Sequence, residues 1–245
     1  MGKPGFLNTP SLQHVVTLMR PTVAATKREF EALERAVIGF NYSSFDRLAK
    51  AMMEGAFTTD QALAQCAILK NEKARKPNAD LVAAFGIYSD SKTQAAWFKP
   101  YPKDLFPIAS GVAIPINPTG LWVDDGKLKV LWVQKWKGRT LDPLQKTIFH
   151  TVLDRRVFVG DDFGGADLEF VDLRSPGTNC DREVEVLNRR HFEVLSDAEL
   201  KEHFDILLEA FVEFAGERSD RREKDKRERE PSPMPLFDPR PDAPS

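Results

Sequence analysis

The stretch GLWVDDGKLKVLWVQKWKGR, Gly120 to Arg139, limits the fold most. Its DDG centre is a tight-turn signal between two strands. In the second strand Leu128, Val130, Trp132, Gln134 and Trp136 share one side. Lys129, Leu131, Val133, Lys135 and Lys137 share the other. The middle of that strand is apolar on both sides, so it belongs inside a sheet with a covering layer on each face.

The flanking segments must supply those layers. Residues 11–90 carry helix signals. Phe30, Leu33, Val37 and Phe40 recur at helical spacing, and SSFDRLAKAMMEG offers a Ser cap before Phe45, Leu48 and Met52. In TTDQALAQCAILKN a Thr cap precedes an expected face of Leu63, Ala67 and Ile68. A further short helix is expected after Pro77. Between residues 100 and 118 five prolines intervene, and Pro115 restricts GVAIPINP to an edge strand or a bulge.

LDPLQKTIFHTVLDRR reads as a helix capped by Asp142 with Pro143 in its first turn. RVFVGD and ADLEFVDLR read as strands, and REVEVLNRRHFEVL as another strand and a turn. SDAELKEHFDILLEAFVEFAGE is a helix opened by a Ser196–Glu199 capping box. Past Ala215 the apolar face ends. ERSDRREKDKRERE holds seven basic and six acidic residues and suits a solvated rod, and the Pro-rich end PSPMPLFDPRPDAPS is expected to be disordered.

The expected fold is therefore α+β. A helical part, 1–98, packs on a mainly antiparallel sheet of four to six strands in 99–216, with two further helices and one shared core. A charged, Pro-rich tail follows at 217–245.

Chemistry is harder to place. The formal net charge of −2 gives no global field for a polyanion. Two cysteines, Cys66 and Cys180, are too few for a disulfide framework or a thiolate zinc site. His14, His150, His191 and His203 make no HxxxH or HExxH pattern, and His150 and His203 read as half-exposed helical residues. No GxSxG, Walker or GxGxxG motif occurs. Asp161, Asp162, Asp167, Glu169 and Asp172 could offer oxygens to a hard cation, but lack the EF-hand order. No metal, cofactor or catalytic residue is assigned, and no apolar run is long enough to span a membrane.

The stretch LWVDDGKLKVLWVQKWKGRTLDPLQKTIFHTVL, continued by GGADLEFVDL, resembles in layout the core of RecB-type PD-(D/E)XK nucleases. That resemblance implies a hairpin, a glutamine-bearing helix and a further strand around a cation-assisted phosphodiester site. Lys135 and Gln145 match its pattern. Val133-x-Lys135 and Lys135-x-Lys137 lack its acid, and Asn117 is the closest polar residue where a first acid would stand.

Two functional expectations follow. The first is a non-catalytic cytoplasmic interaction or regulatory protein, with another protein as partner and Met234, Leu236 and Phe237 as a docking triplet in the tail. The second is a divergent nuclease-fold protein that binds or cleaves nucleic acid through Gln134, Lys135, Trp136, Lys137 and Arg139.

Overall fold

The computed structural model describes residues 10–35, 42–92, 97–136, 140–175 and 181–229, the side chains of 224–229 excepted. Five helices come first: α1 (Leu12–Leu18), α2 (Val23–Arg35), α3 (Ser43–Met53), α4 (Thr59–Ala67) and α5 (Glu72–Asp90). Strands β1 (Phe98–Lys99), β2 (Asp104–Ala109), β3 (Val112–Ile116), β4 (Gly120–Asp124) and β5 (Lys127–Gln134) follow. Then come α6 (Pro143–Arg156), a short α7 (Gly160–Phe163), β6 (Asp167–Asp172), β7 (Glu185–Asn188) and α8 (Asp197–Arg229).

The main sheet has the order β1-β4-β5-β6-β7, which makes β5 its middle strand. Every neighbouring pair is antiparallel except β5–β6, which α6 connects as a crossover. The fold is α+β, as expected. The β4–β5 turn places Asp125 at φ 50° and Gly126 at φ 73°, the left-handed pair that a two-residue hairpin loop requires. β2 and β3 pair separately, so Pro107 and Pro115 cost the main sheet no hydrogen bond.

Each face of the sheet carries its own apolar cluster. Val130, Trp132, Leu168 and Phe170 face one that includes residues of α1, α2, α6 and α8. Leu131, Val133, Trp122 and Val171 face the other, with residues of α3, α4 and α5. The alternation read in β5 is thus a division between layers. Burying each such large side chain contributes about 1.5–3 kcal/mol. Both clusters draw on residues before and after position 98.

Several local expectations are corrected. Ser43 does not cap α3, which begins there after Tyr42. The cap comes from another helix: Asn78 Oδ1 of α5 accepts from Phe45 N at 2.9 Å, and its Nδ2 donates to Ala74 O at 2.7 Å. α5 also runs through Pro77 instead of starting after it. α4 turns Ala62 and Cys66 inward and leaves Ile68 70% exposed, because small side chains let it lie close to α5. A Cβ added at Gly86 would stand 2.6 Å from Thr59 Oγ1 and Cγ2.

RVFVGD is no strand. Val157 and Phe158 close the last turn of α6 on Leu153 O and fill the core. His150 is buried, not half-exposed, and stacks on Phe192 at 4.9 Å. The helix expected through Phe40 is seen to Arg35, and residues 36–41 lie outside the described residues. So do Cys180 and the Pro-rich end. α8 carries the charged rod to Arg229. Among the described residues no helix is long and apolar enough to cross a membrane.

Candidate functional site

The expected binding residues cluster at the C-terminal end of β5. Gln134 is fully buried there, in the layer of Trp132, and its backbone carbonyl accepts from Leu173 N at 3.0 Å. Lys135, the next residue, reaches the other side and pairs with Asp46 of α3 at 2.6 Å. Trp136 is half-buried, with His14 edge-on to its ring at 4.3 Å. Lys137, Arg139, Met234, Leu236 and Phe237 lie outside the described residues. Gln145, the other position matching the nuclease pattern, works inside the fold. It closes the capping box with Asp142, and its Nε2 donates to Thr17 O and Met19 O, each at 3.2 Å.

The acids of 161–172 are dispersed. Asp161 and Asp162 are exposed on α7. Asp167 Oδ1 accepts from Leu168 N at 2.8 Å and Arg189 N at 3.2 Å. Glu169 and Asp172 are both buried, but three positions apart on a strand they point to opposite faces. No group of three His, Cys, Asp or Glu side chains placed to hold a metal occurs among the described residues.

Glu169 anchors a completed network. Tyr88 Oη donates to it at 2.9 Å, Lys92 pairs with it, and Lys129 Nζ lies 4.0 Å away. Lys129 also pairs with Asp124 at 2.7 Å. Both ammonium groups sit over the Trp122 ring, at 5.5 and 5.6 Å from its centroid. Burial pushes the Tyr88 phenol far up, reinforced by the Glu169 charge. For Lys129 burial acts downward, but its bond to Asp124 and the carboxylates beside it leave a net rise. Trp122 itself is fully buried, so it offers no face for a stacked base.

Asp172 has a different setting. Neither of its side-chain oxygens accepts a hydrogen bond, although both are buried. Burial pushes its carboxyl up to about 6, against the opposing charges of Arg174, Lys146 and Arg182. Glu185, its cross-strand neighbour, meets Arg174 Nη1 at 3.2 Å and Lys146 Nζ at 3.8 Å. Arg182 clamps the strand ends, with Nη1 donating to Lys135 O at 3.0 Å and to Leu173 O at 2.5 Å.

The polar row Gln134, Asp172, Glu185 was not recognised in the sequence as a unit. A signal existed: the alternation of β6 puts a carboxylate on the same face as Leu168 and Phe170. No protein-family model matches the chain, and no curated protein matches it in sequence.

Proposed function

We propose that the chain is a non-catalytic cytoplasmic interaction protein that presents the distal part of α8 to a protein partner. One observation carries this reading. Phe214 is the last α8 side chain in the core, yet the helix continues to Arg229, and every residue from Ala215 to Glu223 is exposed. A helix polar on all sides gains little from its own chain. Its first distal turns are tethered to α2 by Arg218–Glu34 at 2.7 Å, Arg221–Glu34 at 3.8 Å and Lys27–Glu217. Beyond those tethers the sequence from Arg222 to Glu230 is dense in charges of both signs, a composition suited to selecting partners by charge pattern. The tail triplet Met234, Leu236 and Phe237 follows directly and would add apolar contacts.

The ribbon is the less suitable surface for a polyanion. Lys129 and Lys135 are already matched by carboxylates, and Gln134 and Trp122 are buried. A second reading, a divergent nuclease-fold protein, draws on the order β4, β5, α6 and parallel β6, with Lys135 just past the end of β5.

Photo-crosslinkers placed at Arg222 and Lys226 of the full chain, in cells, test the first reading. The expected result is a discrete protein adduct. It should be reproduced with the purified partner and lost when Arg222, Lys224, Lys226 and Arg227 become Glu. Absence of any adduct, together with salt-sensitive binding of single- or double-stranded nucleic acid, would replace it with the second.

A further inference from the structure

Gln134, Asp172 and Glu185 stand side by side on three adjacent strands. Gln134 is opposite Asp172 in the β5–β6 pair, and Asp172 is opposite Glu185 in the β6–β7 pair. Neighbouring strands are about 4.8 Å apart, so the three side chains leave one face within reach of a common point. Their residue parity places them on the α6 side, in line with Trp132, Phe170 and Leu187.

The row brings two carboxylates and one amide oxygen together, a donor set of the hard-cation type. Asp172 is the decisive member. It is fully buried, its neighbours are polar, and neither of its oxygens accepts a hydrogen bond. A carboxylate in that position is strongly disfavoured until a proton, a water or a cation completes it. Glu185 Oε2 is buried too, but it is ion-paired with Arg174 Nη1 at 3.2 Å and Lys146 Nζ at 3.8 Å without a well-directed hydrogen bond, and the side chain as a whole is 34% exposed and gives a route to solvent.

We propose that the Gln134–Asp172–Glu185 row binds one hard divalent cation of the Mg²⁺ class, at the rim between β7 and the first turn of α6. This goes beyond the partner-binding reading and does not depend on it. The cation bridges Asp172 and Glu185, with the Gln134 amide oxygen completing the protein side. Lys146 and Arg174 are its internal competitors. The Lys146 contact is long, at 3.8 Å, and both side chains are partly exposed, so both can swing outward as the ion enters. Arg182 remains on the strand-end carbonyls. Protons compete as well, so binding weakens as the solution is acidified.

The test is Mn²⁺ titration of the EDTA-treated full chain near neutral pH, read by water-proton relaxation and by calorimetry. One ion per chain is expected, displaced by excess Mg²⁺ and lost at about pH 5. Asp172→Asn should abolish binding, Glu185→Gln should weaken it roughly tenfold or more, and Lys146→Ala should tighten it. Asp172→Asn removes a buried charge, so it should fold, and its circular-dichroism melt verifies that. No relaxation enhancement by the wild-type chain up to about 10 mM Mn²⁺, beyond the weakest range for protein cation sites, overturns the proposal. Unchanged binding by Asp172→Asn overturns it too. Crosslinking at α8 is a separate readout, so the two readings fail independently.

Discussion

Glu169 and Asp172 lie on the same strand, and both are buried, yet their surroundings differ. On the α5 side Glu169 receives a phenol and an ammonium, with a second ammonium close by. On the α6 side Asp172 receives no hydrogen bond, and the nearby cations are engaged with Glu185 or with backbone carbonyls. A fold can bury a charge either by building its counter-charges into the same layer or by leaving it dependent on something added. The first arrangement holds structure together. The second creates a place where proton or ion concentration acts on the protein.

The largest expected effect comes from breaking the completed side. Glu169→Ala leaves Lys92 and Lys129 facing each other across Trp122 and strands the Tyr88 hydroxyl. A loss of about 3 kcal/mol in urea unfolding is expected, at the low end for a buried pair because the lysines keep some solvent contact. A loss near zero would mean that the network is ornamental and the comparison empty.

Asp172→Asn should do the reverse. An unfolded Asp172 titrates near 3.8 and the folded one near 6. The folded state therefore holds the proton more tightly, and its contribution to stability is present below pH 3.8 and declines as pH rises through 6. In metal-free buffer near neutral pH, Asp172→Asn is expected to be more stable than wild type by on the order of 2–3 kcal/mol. The difference should disappear in acid. Subtracting the two pH profiles cancels the other titrating groups, including buried His150, which burial pushes down. A pH-independent difference would show that Asp172 is not the titrating group.

The smallest effect tests how evenly the Glu169 network is shared. Tyr88→Phe removes one hydrogen bond and leaves both lysines, so a loss of about 1 kcal/mol is expected. A loss as large as that of Glu169→Ala would make the phenol, not the ion pairs, its centre.

Much of this architecture was legible from the chain. The Asp-Gly turn, the two-sided β5 and the Asp142 and Ser196 caps each rest on a few adjacent residues with one strong physical preference. What escaped depended on distant partners. β2 was hidden by Pro107, which pairing only with β3 makes tolerable. α5 passes through Pro77, and the buried Asn78 beside it bonds Ala74 O and Phe45 N. The polar row escaped because residues 134, 172 and 185 meet only through strand register, and glutamine enters few ligand patterns. Lys135 was legible as a position, but its partner Asp46 is 89 residues away.

The opposite placement of Trp122 and Trp132 has a practical consequence. They lie on neighbouring strands, yet Trp122 belongs to the layer under α5, while Trp132 donates to Gln13 of α1 at 2.8 Å in the other. Variants in which one of these two is the sole tryptophan, with Trp97 and Trp136 also replaced, would give each half of the molecule its own fluorescence signal. Whether both halves melt together could then be seen with light alone.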